Sequence, residues 1–141
     1  MRVVLDTNIY IAAALKNSFS AEIIELVTRS NDLTAITSEE ILTELTQKLK
    51  DKFHWREENI DYFVASVRKI AEVVEIKEKV SVILRDPEDN KILECAVSGE
   101  ADLIVTLDQD LIKLKKFRGI GIVHSKTLAW TLPEYFKKRK A

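Results

Sequence analysis

Cysteine, histidine and glycine are scarce in this 141-residue chain. The single cysteine, Cys95, closes no internal disulfide and builds no zinc cluster. The two histidines, His54 and His124, lie too far apart for a zinc-ligand pattern. Three glycines exclude a glycine-rich phosphate loop. No apolar run nears the ~20 residues that cross a bilayer, so no membrane partner is expected. The opening MRVVLD puts a carboxylate at position 6, against a secretory leader. With the lone cysteine, this sets a reducing, cytoplasmic location as the expectation. Acids are missing from one end: residues 111–141 hold nine Lys or Arg against Glu134 alone. Residues 1–110 hold 13 basic and 22 acidic side chains, so a net charge of −1 hides a split. A polyanionic partner at the basic end is one reading, and a plain solvated surface is the other.

What is present is enough apolar residue, 46%, to bury one core in one domain. Short apolar runs recur at Val3-Val4-Leu5, 33–37, 73–76, 103–105 and 120–123. Apolar on successive residues, they suit strands buried on both faces. Helical spacing separates them: Ile60, Phe63, Val64, Val67, Ile70 and Val74 recur every three or four residues. Thr37-Ser38-Glu39-Glu40 has the form of a capping box before Ile41, Leu42, Leu45 and Leu49. Ile23, Ile24 and Val27 begin another helix, and Asp86-Pro87 opens one that faces Ile92, Leu93, Ala96 and Val97 inward and stops at Gly99. Residues 80–84 suit either a strand or a loop. Strand–helix alternation predicts an α/β fold, a central parallel sheet of about five strands with helices on both faces.

In such sheets ligands sit beyond the carboxyl ends of the strands. Asp6 follows the first run directly, and Asp108 follows the fourth within a few residues. Asp89 falls in the first turn of its helix, and Glu44 lies on the shoulder of its apolar stripe. Four acids from four elements therefore point to one edge. Converging carboxylates call for a cation, and oxygen ligands select Mg²⁺ or Mn²⁺. Each acid has a plainer role too. Asp6, Thr7 or Asn8 could cap the helix near Ile9, Asp86 could cap the Pro87 helix, and Asp108 or Asp110 could cap one through Leu111.

VVLDTNIYI (3–11), SEEILTELTQKL (38–49), RDPEDNKILECAVSGEADLIVTLDQDLIKL (85–114) and GIGIVHSKTLAWTL (119–132) together resemble a PIN domain, the nuclease fold of VapC-type toxins. The resemblance spans nearly the whole chain and implies one domain over 1–141, with a basic tail at 133–141. It implies a homodimeric Mg²⁺- or Mn²⁺-dependent endoribonuclease cutting single-stranded RNA by metal-activated water, with a protein antitoxin as a possible partner. Carried over by position, the metal and catalytic acids become Asp6, Glu44, Asp89 and Asp108, with Asn8, Thr106 and Asp110 supporting. Lys113, Lys115, Lys116 and Arg118 follow Asp108 closely and are expected to meet RNA near the active edge. A haloacid-dehalogenase-type phosphatase would want a second Asp two residues after the first, where this chain has Asn8. A receiver domain would need an Asp after a middle strand, and Glu75-Ile76-Lys77 offers none. A PIN-like domain that binds RNA or protein without cutting is the non-enzymatic alternative.

Overall fold

A computed structural model describes residues 1–82 and 86–131 of the chain. The expected basic tail, 133–141, lies outside them, as do residues 83 and 84 of the ambiguous stretch. The elements run β1 (Arg2–Leu5), α1 (Thr7–Ala14), α2 (Ser18–Arg29), β2 (Thr34–Ser38), α3 (Glu39–Asp51), α4 (Glu57–Ile70), β3 (Ala71–Val74), α5 (Asp89–Ser98), β4 (Leu103–Thr106), α6 (Gln109–Leu114), β5 (Lys116–Phe117), β6 (Ile120–His124) and α7 (Ser125–Thr131). Among the described residues no helix is long and apolar enough to cross a membrane.

The sheet has the order β3-β2-β1-β4-β6-β5. Five strands are parallel, as expected, and β5 adds a two-residue antiparallel edge against the start of β6. Alternate residues of β1 enter two cores. Val3 and Leu5 pack with Ile9, Tyr10, Ile23, Leu26 and Leu45, while Val4 packs with Ile92, Leu93, Ala96, Ile104 and Leu111. The chain steps outward from β1 to β2 to β3, then crosses back to place β4 on the other side of β1. The strand order therefore reverses between β1 and β4, and the crevice of an open sheet opens at such a point.

Several local expectations shift by a few residues. The helical stripe ends at Ile70, and Val74 belongs to β3, paired with Ser38. Sheet pairing with β2 pulls the last apolar residue of the periodic run out of the helix. Ser38, not Thr37, caps α3, its Oγ accepting from the Ile41 N–H at 3.2 Å, while Thr37 is committed to the strand. Helix α1 begins at Thr7 rather than near Ile9, and α5 begins at Asp89. Asp86 forms a turn before α5, its Oδ1 accepting from the Glu88 N–H at 3.0 Å. Residues 80–82 form no strand; the Val80 and Val82 N–H groups donate to Glu94 and Asn90 on α5.

Gly99 ends α5 for a reason of space rather than backbone freedom. A Cβ there would lie 2.9 Å from Ile36 Cγ2 and 3.0 Å from the Cys95 carbonyl oxygen. The carbonyl belongs to the helix and cannot step aside. Gly99→Ala is expected to lower stability by ~1–3 kcal/mol, the usual penalty of overpacking. Urea unfolding of the two proteins measures it, and an unchanged midpoint would mean that α5 can move off β2.

Candidate active site at the β1–β4 crevice

Asp6 stands at the N-cap position of α1, yet its side chain makes no capping hydrogen bond. Its Oδ2 instead accepts from the Thr106 hydroxyl at 2.6 Å. The same hydroxyl accepts from the Asp108 N–H at 2.9 Å, so Thr106 ties together the ends of β1 and β4. The Asp6 N–H donating to the Val105 carbonyl at 3.0 Å continues the β1–β4 ladder into the site. Asp108 does cap α6, its Oδ1 accepting from the Asp110 N–H at 2.7 Å. Capping accounts for one oxygen of Asp108 and for none of Asp6.

Glu44 is buried on α3 with both oxygens engaged. Thr7 Oγ1 donates to Oε2 at 3.0 Å, and Lys48 Nζ lies 3.0 Å from Oε1. Lys48 also donates to Asn8 Oδ1 at 3.4 Å. Asp89, at the first position of α5, is buried, and its Oδ2 has no hydrogen-bond partner. A buried polar atom without a partner costs free energy and calls for an explanation.

The electrostatics mark these acids as one group. Asp6 is pushed up from the usual carboxylate range to about 6, by burial above all; Glu44 and Asp108 add to the rise, while Thr106 and Lys48 oppose it. Asp89 is pushed up to about 8, again by burial first, then by hydrogen bonding to and the charge of Asp108, then by Asp6 and Asp86. Acids from β1, α3, α5 and the end of β4 thus feel one another across the crevice.

Among the described residues no three Asp, Glu, His or Cys side chains form a ready-made set able to hold an ion. Carboxylates that repel one another turn toward protein donors, here Thr106, the Asp110 N–H, Thr7 and Lys48. The residues nevertheless fit a hard divalent cation. The donor set is all oxygen, it is short of positive charge, and one buried acceptor is orphaned.

Part of the expectation for the basic residues fails: Lys116 and Arg118 do not lie at the acidic edge. Helix α6 leads away from Asp108, Lys115 closes it at a φ of 61°, and Lys116 and Phe117 pair with Gly121 and Ile120 at the start of β6. Because β6 runs parallel to β4, its start is at the opposite end of the sheet from Thr106, which pairs with His124. Arg118 is also engaged, pairing with Glu78 at 2.8 Å and lying over the Phe117 ring. Lys113, on the last turn of α6, and Lys115, whose carbonyl accepts from the Ile122 N–H at 3.1 Å in mid-β6, lie between the two ends.

The basic groups closer to the acids escaped the sequence reading. Lys48 was legible only as Glu44 plus four on one helix. Lys91, on α5, pairs with Glu88 at 2.6 Å and feels the charges of Glu44 and Glu40. His124, opposite Thr106, accepts from the Lys126 N–H at its Nδ1, a satisfied strand-end histidine. Cys95 is buried within the core.

The chain is similar to known proteins in its fold. A chain of VapBC2 from Rickettsia felis, in a crystal structure with a DNA fragment from their promoter, shares the fold with a TM-score of 0.65. The match covers 88% of this chain and 98% of that one at 18% sequence identity. No curated protein matches the chain. The family model described as PIN domain matches residues 2–110, taking in all four acids, and the chain belongs to the PIN domain family.

Proposed function

We propose that this protein is a divalent-metal-dependent endoribonuclease that cuts single-stranded RNA in the cytoplasm as the toxin of a toxin–antitoxin pair. The observation that carries the reading is the buried, partnerless Oδ2 of Asp89 beside Asp108 and Asp6, at the point where the strand order reverses. Asp6, Glu44, Asp89 and Asp108 would hold Mg²⁺ or Mn²⁺. Such an ion, when bound, supplies an activated water for attack on the phosphodiester and neutralises charge that develops on the phosphate.

The rest is positioning by the chain itself. Thr106 fixes the Asp6 carboxylate and, through the Asp108 backbone, the start of α6. Thr7 orients Glu44 from α1, and the Asp110 N–H holds one oxygen of Asp108. Asn8 reaches the same group through Lys48. Among the cations expected to meet RNA, Lys113 and Lys115 stay in the proposal; Lys116 and Arg118 are better placed for other contacts. The likeness to a chain of VapBC2 supports a protein antitoxin as partner. A homodimer belongs to the same reading.

Incubation of the protein with single-stranded RNA tests it directly. Cleavage is expected with Mg²⁺ or Mn²⁺ and not in EDTA. Asp86→Asn should keep most of the activity, since asparagine can still accept the Glu88 N–H and form the turn. Intact RNA with both ions would favour the non-catalytic RNA- or protein-binding alternative. Loss of activity in Asp86→Asn would add a fifth acid to the site.

A further inference from the structure

Lys48 has the geometry of a site component, although nothing in its spacing marks it beyond an i,i+4 pair. Ordinary pairs of that kind are solvated at both ends and contribute little. Here the Glu44 side chain is 9% exposed and that of Lys48 24%. The ammonium bridges two helices, 3.0 Å from Glu44 Oε1 on α3 and 3.4 Å from Asn8 Oδ1 on α1. Its field reaches Asp6 as well. Since Thr7 occupies Oε2, both oxygens of Glu44 are taken within the protein. A buried carboxylate requires a compensating charge, and this helix brings its own. A divalent ion at the same acids would require the same oxygen and compensate the same negative charge.

We propose that Lys48 is an internal counter-cation of the acidic site, whose ammonium competes with a divalent ion for Glu44 and so sets the affinity of the site for that ion. This rests on the metal-dependent function proposed above and adds a regulator of ion occupancy. The i+4 spacing lets Lys48 hold Glu44 while no ion is bound, and its flexible four-carbon stem lets it withdraw when one is. The site then avoids an uncompensated buried charge in either state, at the expense of ion affinity.

Calorimetric titration of the intact protein with Mn²⁺ tests this, with melting temperatures in EDTA recorded alongside. Lys48→Met is expected to bind Mn²⁺ ~10-fold more tightly than the parent, the size of effect that groups behind metal ligands command. Lys48→Arg, which restores the charge, should return affinity toward the parent value. In EDTA, Lys48→Met should melt lower than the parent because Glu44 loses its partner, and adding Glu44→Gln should recover that loss. Lys48→Gln, which keeps a hydrogen bond without the charge, serves if Lys48→Met does not fold; tighter Mn²⁺ binding is expected there too. Equal or weaker Mn²⁺ binding by the uncharged variants, with the parent binding normally, would overturn the inference and leave the metal reading intact. No Mn²⁺ binding by the parent or any variant would overturn both.

Discussion

Asp6→Asn is expected to remove RNA cleavage, with a loss of at least about a hundredfold, while the fold persists. Asparagine keeps the size of the side chain and an oxygen that can accept from Thr106 Oγ1, so the β1–β4 connection survives. What disappears is the negative charge at the centre of the group. Residues that merely orient metal ligands are worth ~10–100-fold, so a ligand should sit at or beyond that range. The metal-free variant should be as stable as the parent near pH 8, or more so. The parent carboxylate, pushed up to about 6 chiefly by burial, is ionised there among other acids. Full activity in a folded Asp6→Asn protein would remove Asp6 from the reaction. Thr106→Val separates position from charge: it leaves the carboxylate but frees it, and a smaller loss is expected. Cleavage rates with Mn²⁺ and circular dichroism melts distinguish these outcomes.

Metal-free stability should fall as pH rises from about 4 to 8. Asp6 and Asp89 both titrate higher in the folded protein, at about 6 and about 8, than the ordinary carboxylate value of 3.8 that they regain on unfolding. Burial is the leading cause for each, with the charges of neighbouring acids behind it. Between those limits the folded state holds protons that the unfolded chain has released, so raising the pH favours unfolding. The contribution is complete below about pH 4 and is lost as pH passes the folded values. One proton of difference corresponds to ~1.4 kcal/mol per pH unit, an upper bound for acids that share a site. The exposed Glu39–Arg68 pair works in the opposite direction, lowering the Glu39 pKa, but it is solvated and screened. Urea unfolding in EDTA at pH 5, 6.5 and 8 reads the slope. Asp89→Asn should flatten it above pH 6. Mn²⁺ should flatten or reverse it, because ion binding requires the deprotonated acids. Parent stability that climbs from pH 5 to 8 in EDTA would contradict the buried-acid account.

The parallel strands and most of the helices are legible from local pattern, because burial writes its period into consecutive residues. Val3-Val4-Leu5 is apolar on successive positions because alternate residues enter different cores, and the 60–70 stripe follows the turn of α4. From these, and from the rule that parallel strands expose their carboxyl ends together, the sequence alone assigns Asp6 and Asp108 to one edge. Asp89 and Glu44 followed from helix starts and stripe positions. The PIN resemblance added the chemistry expected of the acids. Tertiary structure decided everything that depends on which elements are neighbours. The reversal of strand order between β1 and β4 makes Thr106 the link between Asp6 and Asp108, a contact across 100 positions. Packing of α1 against α3 turns Lys48 from a helix-surface lysine into part of the acidic group. The two-residue β5 and the direction of α6 carry Lys116 and Arg118 to the far end of the sheet, where closeness in sequence to Asp108 had suggested the near one. The division is physical. A helix or strand records its own burial in its side-chain period, whereas partners, register and the shared field of converging charges arise only when segments far apart in the chain pack together.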